Sequence, residues 1–464
     1  MYKYNQIADA LRKEIQDGHY KPGEKLPSVR QYVRDSGYNS DTVLKAYRLL
    51  EEEHLIYSAT KSGFYVVKSI VPVNKKSNID LVSVRPPDFI NPYKDFYHCM
   101  EKSISIYKNK LFEYSSPQGM EELRAVLAKH LMNFQIFTKD TDIFITNGAQ
   151  QALYILAAMS FPGKNTKVLV EQPTYSVMLK VLKCNNIPVL GIRRTAAGID
   201  LEELEEIFKQ GGIKFFYTMP RYQNPTGFCY SEEQKREIIR LSKQYGVYIV
   251  EDDYVADLER NERTDTLYAL GDKERIIYIR SFSKTILPGM RLGMTILPKL
   301  LQEEFLTYKL SMDLNTTVLT QGALEIYLKS SMYKSHVART KKFYKGKMET
   351  LKNACNQWLK HKVICHIPPT GLYAYLELED KAESILKALS KSGVLVSNTA
   401  NCFIEGFPHA EGIRLCICNC EDVDIELAVK RIQEEINKGE KRLKEKKIKG
   451  TKKIKGKIVK GDTA

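Results

Sequence analysis

Apolar residues recur at four-residue spacing in YNQIADALRKEIQDG, where Ile7, Leu11 and Ile15 fall on one face of a helix. YKPGEKLP then interrupts the pattern with Pro22, Gly23 and Pro27. Ser28 is placed to cap a short helix, VRQYVRDS, that Gly37 closes. Ser40 or Asp41 can cap the next helix, TVLKAYRLLEEE, which turns Val43, Ala46, Tyr47 and Leu50 inward. LIYSATKSGFYVV reads as two short strands joined by a turn at Lys61 to Gly63. Helices, tight turn and hairpin in this order predict a winged helix-turn-helix over residues 1–67.

From residue 68 to 80 the apolar spacing lapses around Pro72, Lys75, Lys76 and Asn78, which predicts a linker. At about 3.3 Å per residue it spans at most roughly 40 Å. Beyond it, strand-like and helical runs alternate. DIFIT (142–146) precedes GAQQALYILAAMS, and KVLVEQ, FFYTM, a helix over 231–245, VYIVEDDY, RIIYIR and RLGMTIL follow. Such alternation predicts a largely parallel sheet covered by helices on both faces, with ligands gathered at the C-terminal strand ends. The expected fold class is multidomain α/β, with a body over 81–430 and a helix end plus a basic, disordered tail over 431–464.

Charge sharpens this division. The net +15 is concentrated at the end, where residues 441–464 hold eleven Lys or Arg against two acidic residues. Such a tail cannot build a core and suits either solvation or nonspecific phosphate attraction. No apolar run approaches the roughly 20 residues that a bilayer requires, and the opening stretch lacks a secretory apolar segment. Nine cysteines, an odd number, fit a reducing cytoplasm better than a disulfide scaffold. Cys416, Cys418 and Cys420 would share one face of a strand, which is poor geometry for a metal cage, so no metal site is expected.

The chemistry-bearing residues fall at the expected strand ends. Gly148, Ala149 and Gln150 open a helix directly after a strand, leaving backbone N–H groups suited to a phosphate. Asn224-Pro225-Thr226-Gly227 is a turn after another strand. Glu251, Asp252 and Asp253 precede Tyr254 at a third, where burial without a cationic or protonated partner is costly. Lys284 lies among the hydroxyls of Ser281, Ser283 and Thr285, with Arg291 seven residues on. Alone, Lys284 reads as a surface or salt-bridged lysine. Together these are the parts that a pyridoxal phosphate site needs: a lysine for the Schiff base and a carboxylate to keep the pyridine nitrogen protonated.

Two resemblances extend the reading. IADALRKEI, YKPGEKLPSVRQ, KAYRLLEEE and KSGFYV together resemble the GntR-type winged-helix domain. The resemblance implies double-stranded DNA as partner and Arg30 as a phosphate or base contact. The start of its recognition helix falls at Ser40, Asp41 and Thr42, with Ser40 where many relatives carry arginine. Arg34, Lys45 and Lys61 are further candidate contacts.

The successive segments YSSPQGMEELR, ITNGAQQAL, EQPTY, YQNPTG, VEDDY, SFSK, GMRLG and GIRL resemble fold-type I pyridoxal phosphate aminotransferases, with a large α/β and a small α+β domain. The resemblance implies Lys284 as the lysine that carries pyridoxal 5'-phosphate. Arg291, Ser281, Ser283 and the 148–150 amides would hold the phosphate, and Tyr175 would stack on the ring. Asn224 and Tyr254 would donate to its phenolic oxygen, and Asp252, or Asp253 if the match slips by one, would face its nitrogen. Tyr114 would reach the neighbouring subunit's phosphate, which implies a homodimer. Arg414 would pair with the carboxylate of an amino acid or related effector. Thr370-Gly371 and VLVSNTANCFIEG depart from the family pattern near the substrate.

Head plus body resemble the MocR subgroup of GntR-type regulators. The implied function is a transcriptional regulator that senses pyridoxal phosphate or an amino compound and controls DNA binding. The alternative is a working aminotransferase on an amino acid.

Overall fold

The computed structural model describes residues 3–439 except 54, 60–61, 68–77, 260–264, 361–362 and 379–381. Lys61 and the basic tail from 440 onward lie outside the described residues, as does most of the linker. The chain divides into two units, Met1–Asn78 and Ile79–Ala464.

The first unit holds α1 (Lys3–Gln16), α2 (Val29–Ser36), α3 (Ser40–Glu52) and the antiparallel hairpin of β1 (Ile56–Ala59) and β2 (Gly63–Val66). Ser28 caps α2 by accepting from the Gln31 amide, and Gly37 ends it at φ 71°, where a side chain would be strained. The cap of α3 corrects the sequence expectation. Asn39, not Ser40 or Asp41, accepts from the Thr42 amide at 2.7 Å. Asp41 instead sits in the first turn, where its carboxylate complements the positive end of the helix. Ile7, Leu11, Ile15, Val43, Ala46, Tyr47 and Leu50 are buried together in a core that this unit closes by itself.

The second unit opens with β3 (Ile79–Asp80), two residues expected in the linker. Then come α4 (Tyr93–Tyr107), α5 (Glu121–Leu131), β4 (Ile143–Thr146), α6 (Ala149–Ala158), β5 (Lys167–Gln172) and α7 (Ser176–Cys184). Next are β6 (Val189–Thr195), β7 (Gly198–Ile199), α8 (Leu201–Gln210), β8 (Ile213–Thr218), α9 (Glu232–Tyr245) and β9 (Tyr248–Asp253). α10 (Leu267–Leu270), β10 (Ile276–Ser281) and β11 (Gly293–Ile296) complete the large sheet. α11 (Lys299–Asp313), α12 (Val318–Lys329) and α13 (Ser331–Trp358) lead into a smaller sheet. That part holds β12 (Ile364–His366), β13 (Tyr373–Leu378), α14 (Ala382–Lys391), β14 (Val394–Leu395), β15 (Ser397–Asn398) and β16 (Glu411–Cys416).

The large sheet runs β4-β11-β10-β9-β8-β5-β6-β7, with β10, β9, β8, β5 and β6 parallel. Alternate residues of each strand serve opposite faces. Val168, Val170, Phe215, Tyr217 and Ile279 join one buried cluster, and Leu169, Phe216, Ile249 and Ile276 join the other. Apolar side chains on both faces explain why these strands read as continuous apolar runs. β11 runs against both its neighbours, so its start lies at the edge where β4 and the parallel strands end. That reversal brings Arg291, two residues before β11, to the edge that carries Gly148, Asp252 and Lys284.

The smaller sheet, β12-β13-β16-β15, is antiparallel. Cys416 ends β16, and the chain turns at Cys418-Asn419, so Cys418 and Cys420 are not on the strand as the alternation suggested. A helix over 422–439 continues across residue 430 and buries Ile425, Val429, Ile432 and Ile436.

Candidate functional site

The converging strand ends surround a cavity of about 280 Å³. At its floor, Asp252 is 2% exposed at the end of β9. Its Oδ2 accepts the Tyr217 hydroxyl at 2.8 Å, while Oδ1 is buried without a hydrogen-bond partner. Burial pushes its carboxyl up to about 7, the Tyr217 bond opposes this, and neighbouring Asp253 adds to it. An acid so placed favours a cationic N–H in the cavity, which would fill the vacant acceptor and restore the charged form. The geometry also separates the two aspartates. Asp253 faces away from the cavity, where Arg221 and the Tyr278 hydroxyl hold its Oδ2.

One end of the cavity is built for an anion. Gly148 precedes α6 at φ 72°, and a Cβ there would meet the Arg291 guanidinium at 2.9 Å. A Cβ on Gly293 would lie 2.7 Å from the Ala149 amide nitrogen, so two glycines let helix end and guanidinium close together. Ser281 and Ser283 line the same wall, and the Ser283 hydroxyl is buried without a partner.

Lys284 enters this cavity with no hydrogen-bond partner among the described residues, and burial lowers its ammonium from the ordinary lysine value. A lysine so desolvated is closer to the neutral amine that attacks a carbonyl. Its backbone is fixed from behind. Thr285 donates its hydroxyl to Asp257 at 2.7 Å, and its carbonyl lies 2.6 Å from His336 Nε2.

Tyr175, Asn224, Tyr254 and Arg414 complete the walls. The Tyr175 hydroxyl accepts from Gln150 at 3.2 Å, and the Tyr254 hydroxyl donates to the Tyr222 carbonyl at 2.7 Å. Arg414 donates to Asn224 Oδ1 at 3.1 Å and Ser397 Oγ at 3.3 Å, and it lies 4.5 Å over the Tyr373 ring. Its Nε remains buried without a partner.

Tyr114 is not brought to the cavity; it is 88% exposed on the surface of this chain. Sequence reasoning missed Val84, Ser176, Val177, Met219 and Tyr373, which also line the cavity. Ser176 and Val177 follow Tyr175 directly and Met219 follows β8, so the strand-end logic could have found them. Val84 and Tyr373 arrive from elsewhere in the chain and carry no local signal.

Residues 91–432, well over half the chain, match the family model for aminotransferase class I and II. The chain belongs to that family. Residues 3–66 of this family member match the model for bacterial regulatory proteins of the gntR family. The HTH-type transcriptional regulator YcxD of Bacillus subtilis (strain 168) is 37% identical over 447 residues, covering 94% of this chain and 100% of the relative. YdcR of Escherichia coli (strain K12), also named an HTH-type transcriptional regulator, is 28% identical over 423 residues, covering 84% and 90%. Among solved structures, a Pyrococcus horikoshii kynurenine aminotransferase in complex with PMP superposes with TM-score 0.73 at 26% identity, covering 79% of this chain and 92% of that one. The α-aminoadipate aminotransferase LysN of Thermus thermophilus shares the fold, with TM-score 0.71 at 22% identity, covering 78% and 92%.

The gntR-type head presents Arg30, Arg34, Ser40 and Lys45 exposed and Thr42 half-buried. Arg48, overlooked in the sequence, is exposed one turn beyond Lys45 on α3. None of these four basic side chains has an ion pair or hydrogen bond among the described residues, which leaves them open to phosphate or base edges. The aminotransferase-family body has no helix among its described residues long and apolar enough to cross a membrane.

Proposed function

We propose that this transcriptional regulator with an aminotransferase-like body binds pyridoxal 5'-phosphate and senses it, or an amino compound captured with it, to control DNA binding as the MocR subgroup does. The observation that carries the reading is the convergence of Lys284, Asp252 and Arg291 on one cavity. The residues fit the group by their unmet bonding. Asp252 Oδ1 would accept from the ring nitrogen, and Ser283 Oγ, the Arg291 guanidinium and the amides of Ala149 and Gln150 would hold the phosphate. Tyr175 would cover the ring and Asn224 would donate its amide to the phenolic oxygen, as would the Tyr254 hydroxyl on giving up its bond to the Tyr222 carbonyl. Bound there, pyridoxal phosphate supplies an electron-accepting ring tethered through Lys284.

Arg414 would orient an amino compound by its carboxylate, with Nε as a further donor. A sensor needs only that this ligand prefer one of two DNA-binding states. Tyr114, exposed here, would serve a second copy's phosphate in a homodimer, and Arg30, Arg34, Lys45 and Arg48 would meet the duplex.

The second reading, a working aminotransferase, draws on the pairing of a desolvated Lys284 with Arg414 in one cavity. Turnover further requires Lys284 to move a proton and the small sheet to close over substrate. One experiment separates the readings: an amino-compound panel titrated against the pyridoxal phosphate-loaded protein, with absorbance, DNA binding and keto-acid release recorded together. Ligand-dependent DNA affinity without keto acid is expected. Rapid keto-acid release with no effect on DNA would replace the sensor by the enzyme.

A further inference from the structure

We infer that residues 79–84 form a strap that reads occupancy of the cavity and hands it to the linker of the DNA-binding head. The inference rests on the regulator reading above and supplies its physical route. The second unit begins at Ile79, and five residues later Val84 is part of the cavity wall. Six residues are at most about 20 Å of extended chain, too short to absorb a shift as slack.

The strap is stitched along both sides, to β14 in a two-stranded sheet of their own and to the end of β16 in the small sheet. On one side β3 pairs with β14: the Ile79 amide donates to the Gly393 carbonyl at 2.8 Å and the Leu81 amide to Leu395 at 2.9 Å. On the other, the Cys416 amide donates to the Leu81 carbonyl at 2.8 Å. The Cys416 thiol donates to the Ser83 carbonyl at 3.1 Å and the Cys420 thiol to the Asp80 carbonyl at 3.0 Å. Burial pushes the Cys420 thiol up to about 12, so it remains a donor at neutral pH. Asp80 folds the strap on itself by accepting the Val82 and Ser83 amides at 2.9 and 3.0 Å. Ile79 and Leu81 are buried, so the strap cannot slide without its partners.

Arg414 is the other end of the device. It lies two residues before Cys416 on β16, so both side chains leave the same face of one strand. A carboxylate held by Arg414 acts on β16, β16 carries the strap, and the strap is continuous with the linker. The coupling therefore runs through one strand and one short segment hydrogen-bonded to its end.

The test uses the full-length protein and N-(5'-phosphopyridoxyl)-L-alanine, a stable compound carrying phosphate, ring and carboxylate. A DNA duplex is selected by the wild-type protein from a random pool. Binding of the compound is expected to slow amide exchange at Leu81 and Cys416 and to change duplex affinity, each by about fivefold or more. Inserting Gly-Ser-Gly-Ser between Lys76 and Ser77 leaves strap and cavity intact. That variant is expected to bind compound and duplex separately within about twofold of wild type, while the two affinities become independent. Cys420→Ala, outside the cavity, is expected to weaken the coupling and leave compound affinity unchanged. Unchanged exchange over 79–84 with the compound bound overturns the strap, as does full coupling after the insertion. Compound binding without any coupling in wild type overturns it too. Failure of the compound to bind at all overturns the cofactor reading, and the strap with it.

Discussion

Thr285, the residue after Lys284, gives its hydroxyl to Asp257 at 2.7 Å, and Asp257 in turn pairs with Arg280 at 2.6 Å. Arg280 is fully buried, and Tyr333 and His130 close the same network. Burial lowers the His130 imidazole to about 4, so it stays neutral beside the guanidinium. Removing the carboxylate strands a buried cation, which costs about 3–5 kcal/mol. Asp257→Ala is expected to lower stability by that order in urea denaturation, and the double variant Asp257→Leu with Arg280→Met to recover a large part of it. Equal loss in single and double variants would contradict the pairing.

Two buried carboxylates near the end of β9, Asp252 at the cavity and Glu251 on the opposite face under the Leu267 and Tyr268 amides, set a pH dependence. Asp252 and Glu251 are both raised to about 7 by burial. The folded state then binds more protons than the unfolded chain, so stability is full below the ordinary carboxylate range and falls as pH rises to about 7. The slope approaches about 1.4 kcal/mol per pH unit for each group. Asp252→Asn is expected to remove its share of that fall in cofactor-free protein, and pyridoxal phosphate to diminish the fall by supplying a partner to Oδ1. Thermal melts at steps from pH 4 to 8 measure both; an identical profile in Asp252→Asn would count against the assignment.

Gly293→Ala places a methyl 2.7 Å from the Ala149 amide nitrogen and from the Gly148 carbonyl carbon, both backbone atoms that cannot swing aside. The expected result is at least about a tenfold loss of pyridoxal phosphate affinity, because the amides of Ala149 and Gln150 are displaced from the anion. Lys284→Ala should behave differently. It is expected to abolish the borohydride-reducible adduct while retaining noncovalent binding.

Much of the site was legible because its chemistry is local to strand ends. Apolar runs mark where β4, β5, β9 and β10 stop, and Gly148, Tyr175, Asp252 and Lys284 stand at or just after those stops. Arg291 needed the reversal of β11, which no periodicity announces. Tyr373 and Val84 enter from the smaller sheet and the linker end, so only the tertiary fold brings them in. Asn39, Ser40 and Asp41 are all competent caps, and the expectation of Ser40 or Asp41 passed over the one that accepts the Thr42 amide. The buried Arg280–Asp257 pair was invisible, since nothing in a sequence tells which charges leave water.

On the head, Arg30, Lys45 and Arg48 stand exposed and unpaired among the described residues. Arg30→Ala is expected to reduce affinity for a selected duplex by about tenfold, with part of the loss persisting at low salt if bases as well as phosphates are touched. Arg48→Ala is expected to lower affinity for selected and random duplexes alike. Filter binding across a salt series distinguishes them; no change in either variant would detach α2 and α3 from DNA.

The head's own core has a consequence for how such chains arise. Ile7, Leu11, Tyr47 and Leu50 are buried in a cluster made of this unit's own residues. A calorimeter should therefore see two heat-absorption peaks. A head with another operator preference brings its own core with it, so target choice and ligand choice are free to change by recombination, one at a time.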